Sequence, residues 1–347
     1  MEPVAQRVAR RGTGQRTMIA QDDQFATSNA PVEKRAGLSA VLRRISANFW
    51  IEFLFWWTEH APRVVWHTRG FFLPLAWFFG KQLRENTLAN ARGVLGDSAD
   101  EKACVALAKS MIRSFYIAVY ELGCALRSPR EELKRRVDSV EGRDAYDLAR
   151  KSRRGAVIVT AHLGSFELGS AALVDRERRM HVVFRRDASS RFDRLRSRLR
   201  ERLGVVEAPV DEGWSMWTRL LDALASDEVV LIQGDRVMSG QKGVAIPFLA
   251  RHLPIPAGPF KLALAASAPI IPVFSFRTTV GRLRIVVEEP IMVHRDDGPF
   301  DGRHPAMLKL ANLIMKHVRN HAEQWLMVEP LWSDNGSDHG GTKHSQA

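Results

Sequence analysis

Hydrophobic positions along the chain form two patterns: short unbroken runs and longer stretches with a helical period. The short runs are rich in β-branched residues, which is typical of strands buried on both faces of a parallel sheet. Strands are predicted at residues 156–160, 180–184, 205–208, 229–233, 270–277 and 282–288, with an edge strand at 137–142. Because helical stretches separate these runs, the pattern predicts an α/β fold with a mostly parallel sheet covered by helices.

The longest helical stretch precedes the buried strands. Ser98 and Glu101 have the spacing of a capping box, and apolar residues follow at helical spacing as far as Val119. A long amphipathic helix is therefore predicted after Ser98. Shorter helices are predicted at residues 130–137, 143–151, 213–225 and 260–266.

The composition divides the chain into regions. The chain has 347 residues, 45% of them hydrophobic, which is enough to bury one large core, so a single α/β domain is expected at residues 81–335. Residues 1–37 are polar and charged without apolar periodicity, and they are expected to form a disordered tail, as are residues 336–347. No apolar core of a secretory signal follows the basic start. The two cysteines, Cys104 and Cys124, suggest neither a disulfide framework nor a zinc site, which fits a reducing compartment.

An aromatic segment lies between the tail and the domain. Residues 49–79 contain five of the nine tryptophans. Glu52, Glu59 and Arg63 interrupt the segment, so it has no apolar run of about eighteen residues that could span a bilayer unaided. Tryptophan is enriched at membrane interfaces, and residues 38–80 are therefore expected to form membrane-associated helices. Two alternatives are ordinary core packing of the aromatic side chains and a single tilted span.

The most informative motif is AHLGSFEL at residues 161–168. His162 follows the predicted strand at 156–160, and α/β sheets place ligands and chemistry at the carboxyl ends of such strands. Ser165 is in position to cap a helix, which places Glu167 in the first turn. A carboxylate there can hold the imidazole in one tautomer, so His162 and Glu167 are predicted to be a general base and its orienting acid.

Other interpretations of the motif have less support. Zinc ligands on one helix are three or four residues apart, whereas a separation of five turns the side chains about 140° apart. A metal would also need a third ligand that nothing nearby supplies, so no metal site is predicted. Ser165 is not interpreted as a nucleophile, because the GxSxG pattern is absent. The residues alone leave open a histidine that ends a strand and bonds a local carbonyl.

Several phrases, in a fixed order, resemble the lipid A late acyltransferase branch of the glycerolipid acyltransferase superfamily. HLGSFE resembles its His-x-x-x-x-Asp/Glu signature, and residues 181–204 resemble its second block, with Arg185 in the position of the family's arginine. Residues 231–277 resemble the third and fourth blocks, in which an aspartate, here Asp235, ends a strand. Residues 305–332 are similar to the carboxyl-terminal helix and its Pro-Glu-Gln-Trp phrase, although alanine replaces the proline. The shared order is more specific than any single phrase.

The resemblance implies an O-acyltransferase that needs no cofactor. His162 would take a proton from the acceptor hydroxyl, and Glu167 would stabilise the imidazolium. Backbone amides at the start of the helix after Ser165 would hold the oxyanion. The substrate-binding residues assigned on this basis are Gly164, Ser165, Arg185, Asp235 and Arg236.

The same resemblance implies the substrates and the location. The donor would be acyl carrier protein or acyl-CoA, and the acceptor would be a glycolipid, with a lipid A precursor as the leading choice. Another glycolipid and a lysophospholipid are the enzyme alternatives. The protein would lie on the cytoplasmic face of the bacterial inner membrane as a peripheral or monotopic protein. A non-catalytic basic membrane-binding protein is the non-enzyme alternative, against which the His162 and Glu167 pair argues.

The net charge of +12 is concentrated between Arg176 and Arg202. A solvated helix is the usual interpretation of such a charge run. A basic stripe also suits nucleic acid, but no helix-turn-helix, zinc finger or RRM-like phrase supports that partner, and none is predicted. The resemblance implies acidic partners instead, namely acyl carrier protein and an anionic membrane surface. We expect residues 191–202 to dock the acidic donor protein.

Overall fold

In the computed structural model, the described part of the chain comprises residues 52–186, 190–237, 243–249 and 251–332. Its larger sheet has seven strands in the order β1-β9-β8-β2-β5-β3-β4. The strands are β1 (Val137–Glu141), β2 (Ala156–Thr160), β3 (Met180–Phe184), β4 (Val206–Pro209), β5 (Val229–Gln233), β8 (Ile270–Thr279) and β9 (Arg282–Val287). Only the β8–β9 pair within this sheet is antiparallel, so the predicted mostly parallel sheet is confirmed.

Helices precede the sheet and cover both of its faces. Helix α1 includes residues 52–60. The others are α2 (Pro62–Phe79), α3 (Lys81–Leu95), α4 (Glu101–Ala125), α5 (Arg130–Arg135), α6 (Arg143–Arg150), α7 (Phe166–Leu173), α8 (Ser190–Leu203), α9 (Trp214–Ala225), α10 (Gly258–Ala266) and α11 (Pro305–Asn320).

Strand β2 shows why the short apolar runs become inner strands. All five of its residues are buried, and neighbours along a strand point to opposite faces. Val157 and Val159 join the hydrophobic cluster on one face of the sheet, whereas Ala156 and Ile158 join the cluster on the other. A strand covered on both sides has no polar face, and this accounts for its uninterrupted hydrophobic sequence.

The sequence patterns missed the helix α3 and the antiparallel hairpin of β6 (Gly243–Phe248) and β7 (Arg251–Pro256). Both strands of the hairpin contain prolines, which are typical of turns. A proline lacks the N–H that a central strand must donate, but a two-stranded ribbon has free edges where this loss is tolerated. Pro247 and Pro254 lie within the ribbon.

Some side chains of the helices that precede the sheet are part of the hydrophobic core. Phe55 and Val65 are buried, and the Tyr116 hydroxyl donates a 2.7 Å hydrogen bond to the Val65 carbonyl, which joins α2 to α4. The predicted capping box is wrong, because α4 begins at Glu101 after Asp100 without a side-chain cap, and Glu101 bonds Arg92 instead. Among the described helices, α4 is long and apolar enough to cross a membrane, but core helices of soluble proteins pass the same criterion.

Candidate active site

Two neighbouring strands bring the central residues of the site together. In the parallel β2–β5 pair, the last partners in register are Thr160 and Gln233. His162 lies two residues after Thr160, and Asp235 lies two residues after Gln233. The two residues are therefore side by side at the carboxyl edge of the sheet. Ligands bind at this edge in open α/β sheets. The position predicted for His162 is therefore confirmed.

Asp235 is fully buried and binds His162 through both carboxylate oxygens. Its Oδ1 lies 2.8 Å from the imidazole Nδ1, and its Oδ2 accepts hydrogen bonds from the His162 amide at 2.8 Å and from Trp325 Nε1 at 2.9 Å. Burial would raise the pKa of the Asp235 carboxyl, but the neighbouring His162 and these hydrogen bonds outweigh burial and hold the pKa below its ordinary value. The aspartate is thus kept ionised beside the imidazole.

The ionised carboxylate determines the state of the imidazole. A carboxylate only accepts hydrogen bonds, so Nδ1 of His162 carries a proton, and in the neutral tautomer of the ring the lone pair is on Nε2. The His162 side chain is 21% exposed, and within the described residues its Nε2 has no hydrogen-bond partner. Phe166 packs against the ring edge-on, with 5.5 Å between ring centroids. The arrangement presents a general base to the carboxyl edge of the sheet.

The structure corrects the role predicted for Glu167. This carboxylate does not face the imidazole but forms a 2.7 Å ion pair with Arg200 of α8. Arg200 is buried and also lies 3.2 Å from Glu207 on β4. A local spacing of five residues suggested the wrong partner, because the orienting acid comes from the adjacent strand, 73 residues away. Glu167 instead connects α7 to α8.

The loop between β2 and α7 is built around a glycine with a left-handed backbone. Gly164 has φ of +54°, and a Cβ at this position would lie 2.5 Å from the Ser275 carbonyl oxygen. Only glycine avoids both the unfavourable backbone and this clash. Its amide donates a 2.9 Å hydrogen bond to the Gln324 carbonyl, so this amide is not free to bind an oxyanion.

Ser165 is in the predicted cap position but does not cap the helix. Helix α7 begins at Phe166 without a side-chain cap, and the Ser165 hydroxyl donates to Glu121 of α4. Within the described contacts, the amides of Ser165 and Phe166 have no protein acceptor. These two N–H groups, not that of Gly164, are the candidates for an oxyanion site at the start of α7.

The two predicted arginines lie at the same edge of the sheet. Arg185 directly follows β3 and is exposed. Arg236 follows Asp235, and its guanidinium lies 2.8 Å from Glu329 in the segment after α11. A narrow pocket lies between α7 and the strands β3 and β5. Its lining residues include Phe166, Glu167, Ser170, Phe184, Arg200 and Gln233.

Sequence patterns did not single out several residues that support the site. Trp325 was visible only as part of a family phrase, although it is fully buried and bonds Asp235. Glu121 and Arg277 form a buried ion pair at 2.9 Å. One signal could have found Glu121, since an acid within the apolar α4 needs a buried partner. No group of three or more potential metal ligands occurs in the described part of the chain.

The arginines of the predicted docking segment have partners within the protein. Arg191 and Arg198 pair with Glu59 of α1 at 3.3 and 2.7 Å, and Arg202 bonds the Ser128 carbonyl at 3.0 Å. Leu195 and two further leucines on the opposite side of α8 are buried. The helix therefore holds α1 and the segment after α4 against the sheet, while Arg194, Arg198 and Arg202 remain exposed.

Fold and site together define an α/β protein in which a buried carboxylate binds a histidine at the carboxyl edge of a parallel sheet. A model of the bacterial lipid A biosynthesis acyltransferase family matches residues 38–334, and the chain belongs to this family. Two relatives are phosphatidylinositol mannoside acyltransferases. The one from Mycobacterium tuberculosis (strain CDC 1551 / Oshkosh) is 26% identical over 256 residues, 73% of this chain and 77% of the relative. The one from Mycolicibacterium smegmatis (strain ATCC 700084 / mc(2)155) is 25% identical over 187 residues, 53% and 59% of the two chains.

The resemblance found in the sequence motifs is thereby confirmed at the level of the family. The protein is an acyltransferase. The predicted domain limits, the predicted tails and Trp50 fall wholly or partly outside the described residues, and they stay predictions.

Proposed function

We propose that this acyltransferase moves a fatty acyl chain from a thioester donor to a hydroxyl of a membrane glycolipid. The observation that carries the proposal is the fixed His162–Asp235 pair, with Nε2 free at the carboxyl edge of the sheet. Family membership supports the acyl transfer. The names of the mycobacterial relatives, phosphatidylinositol mannoside acyltransferases, suggest a glycolipid as the class of acceptor.

In the proposed reaction, His162 acts as a general base. Its Nε2 takes the proton of the acceptor hydroxyl while the hydroxyl oxygen attacks the thioester carbonyl carbon. The tetrahedral intermediate then collapses, the carbon–sulfur bond breaks, and the leaving thiolate receives the proton from the imidazolium. Asp235 stays ionised throughout and stabilises the imidazolium that forms between these two steps.

Two further groups would act on the substrates. The amides of Ser165 and Phe166 would donate to the oxyanion of the tetrahedral intermediate. Arg185 and Arg236 would bind a phosphate of the donor or the acceptor, since guanidinium groups suit phosphate geometry. Arg236 would have to exchange its Glu329 partner for the substrate.

The aromatic helices would bring the site to its lipid substrate. On α2, Phe71, Phe78 and Phe79 are exposed, although phenylalanine is costly to leave in water. Residues of this kind mark an interfacial segment. We propose a peripheral or monotopic position on the cytoplasmic face of the inner membrane, where acyl carrier protein and acyl-CoA are both available as donors.

The test is a reconstituted transfer assay. Purified protein is incubated with acyl-loaded carrier protein or acyl-CoA and with a lipid A precursor, a phosphatidylinositol mannoside or a lysophospholipid. The products are identified by mass spectrometry, and hydroxylamine treatment distinguishes esters from amides. We expect an alkali-labile ester on one of the glycolipids that His162→Ala does not form. Transfer only to the lysophospholipid, or equal transfer by His162→Ala, would refute the proposal.

A further inference from the structure

The loop that carries His162 is hydrogen-bonded to a buried cluster of polar residues that come from separate parts of the chain. We define the Glu121 cluster as Glu121 of α4, Ser165 before α7, Arg277 of β8 and Gln324 after α11. None of these residues touches the imidazole of His162. The reaction proposed above does not use the side chains of the cluster.

Glu121 is the centre of this cluster. It is 1% exposed, and its two carboxylate oxygens accept four hydrogen bonds from three different segments. Arg277 donates from Nε at 2.9 Å and from Nη2 at 3.0 Å, the Gly281 amide donates at 2.8 Å, and the Ser165 hydroxyl donates to Oε2. A buried carboxylate with this set of donors is held in one place.

Arg277 extends the cluster to the other side of the loop through its backbone. Its amide donates to Gln324 Oε1 at 2.7 Å, and its carbonyl accepts from Gln324 Nε2 at 3.1 Å. The main chain at Gln324 in turn accepts from Gly164 at 2.9 Å, and Leu326 donates to the His162 carbonyl at 2.7 Å. The loop is thus clamped between the cluster and the segment after α11.

A contribution to the stability of the fold does not by itself explain why the protein has this buried polar cluster. Apolar residues of similar volume in place of a buried ion pair are often neutral or stabilising by about 1–4 kcal/mol. A buried pair does fix geometry, because each partner can be satisfied in only one arrangement. In this protein the arrangement that satisfies Glu121 also places Ser165, three residues after His162.

We propose that Glu121 is a positioning residue for acyl transfer. Through Ser165 and Arg277 it sets where the imidazole of His162 and the amides of Ser165 and Phe166 stand relative to the reacting carbonyl. The inference rests on the proposed function, because it concerns the same site. Small displacements matter there, since a shift of about 1 Å can cost about 100-fold in rate.

The decisive comparison uses Glu121→Gln and a matched control, Glu177→Gln. Glu177 also forms a buried ion pair with an arginine, Arg150, at 2.8 Å, and it accepts from the Tyr146 hydroxyl. It lies between α7 and β3, before the amino end of that strand, so the same chemical change is made away from the site. Each substitution removes a carboxylate that pairs with an arginine, although Arg150 keeps a second partner, Asp227, at 2.8 Å.

We expect Glu121→Gln to lower kcat about 100-fold, while KM for donor and acceptor changes by no more than about twofold. Glu177→Gln should keep kcat within about twofold, whatever melting temperature it loses. Equal losses of kcat in the two variants would show a general effect of stability and overturn the proposal. So would a rise in KM at unchanged kcat in Glu121→Gln.

If Glu121→Gln does not fold, Ser165→Ala tests whether Glu121 positions the loop that carries His162. This substitution removes one hydroxyl and leaves the ion pair of Glu121 with Arg277 intact. We expect kcat to fall about tenfold with little change in melting temperature. An unchanged kcat in Ser165→Ala would overturn the proposal, because Ser165 is the direct link from Glu121 to the loop.

A measurement without substrates separates this inference from the proposed function. Diethyl pyrocarbonate modifies His162 at the free Nε2, and mass spectrometry gives the rate. We expect Ser165→Ala to change this rate by about threefold or more and Glu177→Gln to leave it unchanged. If the wild-type protein acylated no glycolipid, the proposed function would fail while this result could still stand. An unchanged rate in Ser165→Ala would refute the positioning role alone.

Discussion

Two groups of aromatic side chains have opposite surroundings in this protein. Trp325, beside the candidate active site, is fully buried, and its indole N–H donates to Asp235. Phe78 and Phe79, at the end of α2, are 74% and 71% exposed. A buried ring with a satisfied polar atom holds neighbouring groups in place, whereas exposed rings have the chemistry of a contact surface. Aromatic residues alone therefore do not distinguish the two roles, but their exposure and hydrogen bonding do.

The largest expected effect tests the buried side of this comparison. His162→Ala should lower kcat about 1,000-fold, because it removes the proposed general base. Asp235→Asn should cause nearly as large a loss of kcat, because the imidazole loses the carboxylate that orients it. The double variant should lose little more than His162→Ala, since the two residues act as one unit. Rates of acyl transfer measured by mass spectrometry of the acylated lipid give all three values.

Glu167→Gln is the control for that prediction. It weakens the ion pair with Arg200 and leaves the imidazole contacts intact, so we expect kcat to fall by less than about tenfold. A loss as large as that of Asp235→Asn would restore the interpretation drawn from the sequence, in which Glu167 is the acid that matters to His162.

The second prediction concerns the exposed side of the comparison. Replacing Phe78 and Phe79 together with serine should lower binding to anionic vesicles at least about tenfold, because each inserted ring contributes about 1.5 kcal/mol or more. The melting temperature should hardly change, since neither ring is buried. Cosedimentation with vesicles measures the binding. Leu148→Ser, which changes another exposed apolar residue on α6, is the matched control and should bind like the wild type.

Point substitutions test this surface better than removal of the first 80 residues. Phe55 and Val65 are buried, and α2 is tied to α4 through Tyr116. A truncated chain would therefore lose core contacts together with the exposed rings. Of the interpretations that the sequence left open for this segment, core packing is confirmed for part of it. Equal vesicle binding by the serine variant and the wild type would leave core packing as the whole explanation.

The strands of the sheet could be predicted because their burial leaves a simple pattern. The limits predicted for β2, β3 and β5 agree with the structure, since runs buried on both faces are apolar throughout. The β6–β7 hairpin could not be found in this way, because its prolines resemble turn residues and its burial is uneven. Local pattern therefore predicted the inner strands and failed for the peripheral ribbon.

The sequence predicted where the site residues lie in the fold, but not which of them contact one another. His162 and Asp235 were both placed at the carboxyl ends of strands, yet the order of the strands in the sheet was unknown. The β2–β5 pairing is what brings the two residues into register. Glu167 was chosen because it is near His162 in sequence. Its actual partner, Arg200, is 33 residues further along the chain.

A third prediction sharpens the account of Asp235 through pH. Its pKa is below the ordinary value of about 3.9, so its bonds stabilise the fold fully above that pH and cease to do so as pH falls through the folded value. At neutral pH we expect Asp235→Asn to unfold about 1–3 kcal/mol more easily than the wild type. Urea titrations should show this difference shrinking below about pH 4. A constant difference from pH 7 to pH 3 would contradict the assigned ionisation.

The smallest expected effect concerns α8, whose role in docking an acidic donor stays a prediction. Arg194 and Arg198 are two of its exposed arginines, although both also have partners within the protein. Replacing both with glutamine should lower kcat/KM for acyl carrier protein about threefold to tenfold at low salt and flatten its dependence on salt. A small thioester donor should be unaffected, because it has no extended acidic surface.

The control for this prediction removes two arginines from the opposite edge of the sheet. Arg153 and Arg154 are exposed and lie just before β2, at its amino end. Replacing both with glutamine therefore changes the net charge equally, but away from the site. If both double variants lowered kcat/KM alike, the effect would come from total charge. If only the α8 variant did so, the exposed arginines of α8 would join the exposed phenylalanines of α2 as contact surface, in contrast to the buried groups around His162.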